Sequence, residues 1–165
     1  MTKETYVKMT QPFRDNPRLA WGLHMLNKTC TGLMYAAYPL LLIYMLLNSD
    51  AGFLRALLVP GISFVALSVG RHLLNRPRPY EAFEVPPVIK KDTKGKSFPS
   101  RHVFSATIIA MTFLLMSPWN WLGLLFLAIC LLLAVVRVVS GVHYISDVAT
   151  GILVGVLAAI IGYML

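Results

Sequence analysis

Three residues near the C-terminal end of the chain have the types and spacing of a catalytic group. Arg137, His143 and Asp147 lie in a stretch that otherwise has the composition of a membrane-spanning helix. His143 and Asp147 are four residues apart, which puts them on one helical face and within reach of each other. A carboxylate behind an imidazole fixes its tautomer and raises its basicity, as a catalytic histidine requires. The alternative is a buried His–Asp pair with a structural role only.

Two further clusters carry groups that suit an anion. Arg71 and Arg78 are two helical turns apart, so their guanidinium groups point the same way if the helix continues. Two guanidinium groups on one face favour bidentate contacts to phosphate. Ser100 and His102 stand where a helix begins, and a helix N-terminus favours an anion. Taken singly, these residues have simpler explanations: membrane anchoring for the arginines, a helix cap for Ser100 and an interfacial position for His102.

Metal and thiol chemistry fit the sequence less well. His102, His143 and Asp147 are of metal-ligand type, but neighbouring guanidinium groups repel a cation. We therefore expect no metal and no other cofactor. Cys30 and Cys130 have no CxxC spacing, and we interpret them as small buried hydrophobic residues.

The composition indicates a membrane protein. The chain has 165 residues, 57% of them hydrophobic and 13% charged, against about 25% charged in an ordinary soluble domain. That length allows a single domain, residues 1–165, with about five spans of about 20 residues. The net charge of +8 suits membrane lipids with anionic headgroups or a phosphorylated substrate. Nucleic acid is an improbable partner because so little polar surface is available. The oligomeric state stays open.

The apolar pattern predicts an all-α, polytopic membrane helical bundle. An interfacial N-terminal segment, residues 1–29, precedes the spans, and residues 17–29 in it predict a helix that lies in the headgroup region and turns into the first span. Residues 71–101 are basic and proline-rich and predict an active-site loop outside the bilayer. We interpret residues 84–96 within this loop as a solvated tether, with the gathering of anionic headgroups as the alternative. The five predicted spans are about 30–48, 52–70, 102–117, 121–140 and 145–165.

The basic residues concentrate on one side of the predicted bundle. Fourteen of the 15 Lys and Arg residues fall on the side that holds the N-terminus, the 71–101 loop and Arg137. Only Arg55 lies toward the other side, where its long side chain can reach the interface. This concentration indicates an anion site, and it is also what the positive-inside rule produces at a cytoplasmic face.

The three clusters together resemble a family signature. Their sequences are Arg71-x6-Arg78-Pro79, Pro99-Ser100-Arg101-His102 and Arg137-x5-His143-x3-Asp147. In order and spacing they resemble the three-part signature of the type-2 phosphatidic acid phosphatases, which share a core with the vanadium haloperoxidases. The chain departs from this signature at three positions. Arg71 stands where the family has lysine, Arg101 where it has glycine and Val136 where it has serine.

The resemblance implies a metal-independent lipid phosphatase and a role for each motif residue. By this resemblance His143 attacks phosphorus and becomes phosphohistidine, while Asp147 holds its ring. His102 protonates the leaving oxygen and then activates water. The residues that hold the non-bridging phosphate oxygens are Arg71, Arg78, Ser100 and Arg137, with Arg101 as a further member.

The five-span build is similar to that of bacterial undecaprenyl-diphosphate phosphatases. The expected reaction is therefore hydrolysis of undecaprenyl diphosphate to undecaprenyl phosphate and phosphate, in a multi-pass protein of the cell membrane. The alternatives are a phosphatidylglycerophosphate or phosphatidate phosphatase, a non-hydrolysing lipid-phosphate binder or transporter, and a structural bundle with anchoring charges. The charge count favours a cytoplasmic active site. The resemblance favours the outer face, where this lipid is released during wall synthesis, and we expect the outer face.

Overall fold

The architecture is a bundle of seven helices. A computed structural model describes residues 1–164, and it contains helices but no strands within that range. The helices are α1 (Lys3–Arg14), α2 (Pro17–Leu47), α3 (Phe53–Leu74), α4 (Pro79–Ala82), α5 (Arg101–Met116), α6 (Asn120–Val139) and α7 (Ile145–Met164). The last residue of the fifth predicted span, residue 165, lies outside the described residues.

The long helices have the length and surface of membrane spans. Four stretches are long and apolar enough to cross a membrane: Pro17–Leu47, Phe53–Ala82, Asn120–Val139 and Ile145–Met164. Outward-facing leucines such as Leu40, Leu47 and Leu73 are 65%, 78% and 78% exposed. Exposed side chains of this kind suit contact with lipid tails, which are as apolar as leucine. The predicted fold class, an all-α polytopic membrane bundle, is confirmed.

The helix α5 is the centre of the bundle. It has 16 residues, and each residue from Val103 to Phe113 is buried. It packs against α2, α3, α6 and α7, which explains why its sequence is apolar on nearly every face. Glycines of α7 allow the closest approach, since a Cβ at Gly151 would lie 2.9 Å from the Ser100 carbonyl oxygen. This approach brings the start of α5 beside the start of α7.

The N-terminal segment agrees with the prediction in part. Residues 17–29 are helical and lead into the first predicted span, as expected, because they are the first part of α2, which continues to Leu47. Asn16 starts this helix: its side chain accepts hydrogen bonds from the amides of Arg18 (3.0 Å) and Leu19 (3.3 Å). Pro17 follows at the first helical position, where its missing amide hydrogen does no harm. The separate N-terminal helix is α1, which the sequence pattern did not predict.

The interpretation of residues 84–96 as a solvated tether was wrong. The Val88 amide donates a hydrogen bond to the Ser140 carbonyl oxygen (3.0 Å), and Ile89 is buried. The Gly95 amide donates to the Glu81 carboxylate (2.8 Å). A buried backbone needs such partners for its polar groups. The segment therefore packs onto the end of the bundle and forms one wall of the site.

Candidate active site

A short turn between α6 and α7 carries His143 into the bundle. Gly141 in this turn has φ of +77°, and a Cβ there would lie 2.5 Å from the Tyr6 hydroxyl oxygen. Glycine is the residue that tolerates this backbone and this close contact. The Tyr6 hydroxyl in turn donates to the carbonyl oxygens of Gly141 and Val85, each at 3.3 Å. Helix α1 thus holds the turn that contains the candidate nucleophile.

His143 is buried, and one of its ring nitrogens faces a carboxylate. Its side chain is 1% exposed, and Nδ1 lies 3.3 Å from Asp147 Oδ2. Burial, together with the nearby charges of Arg137 and Arg78, lowers the pKa of His143 to about 4, although the hydrogen bond to Asp147 acts in the opposite direction. The imidazole is therefore neutral at neutral pH. With Nδ1–H donating to Asp147, the Nε2 lone pair is left for nucleophilic attack.

The Asp147 carboxylate is held from several directions. Oδ2 accepts hydrogen bonds from the Ser97 hydroxyl (2.5 Å) and the Tyr144 amide (3.0 Å), in addition to His143. Oδ1 forms a salt bridge with Arg76 at 2.9 Å. The Arg76 guanidinium also lies 4.2 Å from the centre of the Tyr144 ring, a cation–π geometry. A fully buried carboxylate needs this many partners to stay ionised.

Arg71 and Arg78 meet at the site, but not because a helix continues between them. Helix α3 ends at Leu74, and Asn75 takes the left-handed conformation that terminates helices (φ 36°). Proline residues follow at 77 and 79. A proline interrupts an α-helix, and it also disfavours the helical conformation at the residue before it. The predicted reason for their alignment was therefore wrong, although both side chains line the same cavity.

Backbone carbonyl groups fix these two guanidinium groups. Arg71 donates to the carbonyl oxygens of Pro99 and Lys96. Arg78 donates through Nε to Gly95 (3.0 Å) and through Nη1 to Val142 (3.3 Å). Carbonyl partners hold each arginine in place without neutralising its charge. The positive charge therefore remains available to an anion.

Two other predicted phosphate-binding residues have polar atoms that the protein leaves unsatisfied. Ser100 occupies the N-cap position of α5, but its side chain makes no capping hydrogen bond, so the predicted cap was wrong. Its buried Oγ has no partner within residues 1–164, and neither have Nε and Nη2 of buried Arg137. Arg137 Nη1 donates to Asn27 Oδ1 (3.1 Å). Buried donors without partners are costly, and a phosphate oxygen is a suitable acceptor for all three.

A polar cavity of about 300 Å³ lies in front of His143. Arg101 also reaches this cavity, and its guanidinium lies 5.4 Å from the centre of the Phe64 ring. Ser100, Arg137 and Asp147 are not part of the lining; Asp147 is bonded to His143 from behind. The predicted residues that line the cavity are Arg71, Arg78, Arg101, His102 and His143.

Sequence reasoning missed several residues of the site. Arg76 and Ser97 bind Asp147, and Asn27 binds Arg137. Lys91 and Lys96 line the cavity. The sequence signal for Arg76 was its place in the Arg-Pro-Arg-Pro run beside Arg78, but from the sequence we assigned it no role. Among residues 1–164, no group of three or more His, Cys, Asp or Glu side chains is arranged to hold a metal ion.

A known protein family matches most of the chain. The sequence profile described as the PAP2 superfamily matches residues 37–165. No curated protein sequence matches the chain.

Solved structures share the fold of the chain. The crystal structure of LpxE from Aquifex aeolicus has a TM-score of 0.74 at 23% sequence identity, over 98% of this chain and 94% of that chain. The PAP2-type phosphatidylglycerolphosphate phosphatase from Bacillus subtilis has a TM-score of 0.71 at 20% identity, over 96% of this chain and 83% of that chain. At these identities the likeness is one of fold.

Proposed function

We propose, from the membership of the chain in the PAP2 superfamily, that it is an integral-membrane phosphatase. It hydrolyses a lipid phosphate through a phosphohistidine intermediate. The family itself is the one that the sequence motifs predicted. The observation that carries the proposal is the position of His143. Its Nδ1 is hydrogen-bonded to Asp147, and its ring borders a cavity lined by arginines that have no carboxylate partner among residues 1–164. A neutral imidazole facing a cationic cavity has the arrangement that nucleophilic attack on a phosphate requires.

The first step transfers the phosphoryl group to the enzyme. The His143 Nε2 lone pair attacks phosphorus, and the bond between phosphorus and the leaving oxygen breaks. His102, which lines the same cavity, donates a proton to that oxygen. Arg71 and Arg78 offset the negative charge on the non-bridging oxygens, and the free donors of Ser100 and Arg137 supply further hydrogen bonds. Asp147 stabilises the positive charge that develops on the imidazole.

The second step releases inorganic phosphate. His102, now neutral, takes a proton from water as the water oxygen attacks the phosphohistidine. The bond between nitrogen and phosphorus breaks, and its electron pair returns to Nε2 of His143. The arginines supply positive charge throughout both steps, so the reaction we propose proceeds without a divalent metal.

For the substrate, we favour undecaprenyl diphosphate, on the similarity of the five-span build to that class of phosphatase. The second candidate is a phosphatidylglycerophosphate, because the Bacillus subtilis phosphatase for that lipid has the same fold. Both candidates carry a phosphate on a lipid whose tails lie in the bilayer. The exposed apolar side chains of the long helices suit contact with the tails of either lipid.

The test measures inorganic phosphate released from purified protein in detergent, with chelator in excess. The substrates are undecaprenyl diphosphate, phosphatidylglycerophosphate and phosphatidate. We expect release from at least one lipid, inhibition by vanadate and indifference to chelator. Binding of these lipids without release would identify a binder or transporter. Activity that is lost on chelation and restored by Mg²⁺ would contradict the arginine-based mechanism.

We further propose that the active site faces the outside of the cell. Lys94 lies on the side of the site and Asn120 at the opposite end of the bundle, and both are exposed. The native Cys30 and Cys130 are buried, so Cys30→Ser and Cys130→Ser give a background for single cysteines at 94 and 120. An impermeant maleimide should label intact cells at 94 and not at 120. The reverse pattern would mean a cytoplasmic active site.

A further inference from the structure

The cavity in front of His143 holds more positive charge than one phosphate group needs. Five basic side chains line it: Arg71, Arg78, Lys91, Lys96 and Arg101. Within residues 1–164 every salt bridge goes to Asp147, and none involves these five. A phosphate monoester carries about −1.5 to −2 charges at neutral pH. A single phosphate on His143 would therefore leave much of this charge uncompensated.

Two of these side chains differ from the arginines that flank His143. Arg71 and Arg78 are held by backbone carbonyl groups. The side chains of Lys91 and Arg101 make no hydrogen bond in the part of the chain that the structure describes, and neither does that of Lys96, whose backbone carbonyl group binds Arg71. Burial lowers the pKa of Lys91, and the charges of Arg137, Arg78, Arg101 and Arg71 lower it further. Its ammonium group thus stands among arginines with no carboxylate to offset it.

Arg101 lies between the polar cavity and an apolar one. Its guanidinium faces the polar cavity and stacks over Phe64. Phe64 also lines an apolar cavity of about 480 Å³ on the same side of the bundle, together with Leu57 and Ile108. A substrate whose terminal phosphate reaches His143 and whose tail lies along this apolar surface must pass Arg101. The family signature that the chain resembles has glycine at this position, so the side chain is a feature of this protein.

We propose that Lys91 and Arg101 form a second phosphate subsite, which binds a phosphate group lying between the phosphate attacked by His143 and the lipid tail. The inference rests on the proposed function and narrows the substrate class to lipids with two phosphates. The second phosphate is either joined directly to the first, as in a diphosphate, or separated from it by a short linker such as glycerol. Lipids with one phosphate lack the group that this subsite binds.

The experiment compares three lipids with identical dioleoyl tails, so that only the headgroup differs. They are phosphatidate, diacylglycerol diphosphate and phosphatidylglycerophosphate, presented in mixed micelles at equal surface concentration. The variants are Lys91→Met and Arg101→Met, which keep side-chain length and remove charge. Lys90→Met is the matched control, because Lys90 is exposed on the same loop and is outside the cavity lining.

The measured quantity is the ratio of kcat/KM for a two-phosphate lipid to kcat/KM for phosphatidate. We expect each variant to lower this ratio about tenfold, as the loss of a charge-assisted hydrogen bond implies, and the control to leave it unchanged. The lipid with the larger loss identifies the spacing of the two phosphates. An unchanged ratio, whether through equal losses on all three lipids or through no loss on any, would overturn the inference.

A binding measurement separates this inference from the proposed function. Calorimetry with inorganic pyrophosphate and inorganic phosphate needs no turnover. Lys91→Met should weaken pyrophosphate binding about tenfold and shift phosphate binding much less. Equal weakening of both ligands would overturn the second subsite. If the wild-type protein binds pyrophosphate more tightly than Lys91→Met does but hydrolyses none of the lipids, the proposed function is wrong. The second phosphate subsite is then still supported.

Discussion

Asp147 and Arg137 are buried charged side chains at the same end of the bundle, and they differ in how far the protein satisfies them. Each Asp147 oxygen has a partner, and Oδ2 has three. Arg137 has one hydrogen bond, to Asn27, and leaves Nε and Nη2 without a partner within residues 1–164. Asp147 orients a group of the enzyme itself. The free donors of Arg137 match a ligand that arrives from outside.

This difference has an energetic consequence. Removing a satisfied buried carboxylate destabilises the folded protein, because it leaves the other groups of its network unpaired. An unsatisfied buried guanidinium lowers stability, since its desolvation is not compensated. Functional sites commonly carry such a stability penalty. Substitution of Asp147, the satisfied side of the comparison, or of Arg137, the unsatisfied side, should therefore lower activity in both cases. The two substitutions should change stability in opposite directions.

The largest effect should come from His143, because it is bonded to Asp147 and would attack the phosphate that Arg137 binds. His143→Ala removes the nucleophile, and we expect phosphate release to fall by at least about 10⁴-fold while the bundle stays folded. The exposed His24→Ala is the control. Rapid quenching should trap an acid-labile phosphoprotein in the wild type and none in His143→Ala. Normal turnover by a folded His143→Ala protein would remove His143 from the mechanism.

Asp147→Asn tests the satisfied side. The amide keeps the shape but cannot stabilise an imidazolium, and it loses the salt bridge to Arg76. We expect phosphate release to fall about 10³- to 10⁴-fold, as for other histidine-orienting carboxylates, and the Tm to fall. Steady-state kinetics and thermal unfolding in detergent measure the two effects. Unchanged activity would exclude Asp147 from the site.

Arg137→Met tests the unsatisfied side. Methionine has a similar length and no buried donors to satisfy, so the Tm should be equal to or above that of the wild type. Phosphate release should fall about 10²-fold or more, because a donor to the transition-state oxyanion is lost. A fall in Tm as large as that of Asp147→Asn would contradict the contrast between the two residues.

Arg76→Met tests whether Arg76 is a positioning residue that acts through Asp147. We expect kcat to fall about tenfold with KM little changed, because Arg76 is outside the cavity lining. Arg76→Lys should recover part of the loss, since it keeps the charge but loses the stacking on Tyr144. Arg76→Met in an Asp147→Asn background should have little further effect on kcat. Additive losses would mean that Arg76 acts independently of Asp147.

Tyr6→Phe should have the smallest effect. It removes the hydroxyl that binds Gly141 and Val85 but keeps the ring. The loss of about 1 kcal/mol lowers the Tm by roughly 2–4 °C, and kcat should change less than threefold. Burial raises the pKa of Tyr6 to about 12, so the hydroxyl stays protonated and the effect should not vary between pH 6 and 9. A loss as large as that of Arg76→Met would give α1 a direct part in catalysis.

The sequence was most informative about features that depend on residues close together along the chain. Four of the five predicted spans match helices to within a few residues at their ends, because a bilayer demands long apolar runs. The first predicted span, residues 30–48, begins well after Pro17, where α2 starts. His143 and Asp147 are in contact, as predicted, but His143 lies in the turn before α7 and not on the shared helical face that the spacing of four residues implied. Local reasoning failed where two local rules competed. The seven-residue spacing of Arg71 and Arg78 aligns their side chains only if the helix continues, and the turn at Asn75 and the prolines after it end that helix.

Sequence alone determined the class of fold, the residue types of the site and the pairing of His143 with Asp147. The tertiary structure decided which groups hold Asp147, because Arg76 and Ser97 are 71 and 50 residues away from it along the chain. It also decided that the Ser100 hydroxyl is not used as a cap and that Lys91 stands in the cavity. Helical periodicity is a property of a few consecutive residues. The course of a loop depends on where the packed helices leave space and backbone partners for it.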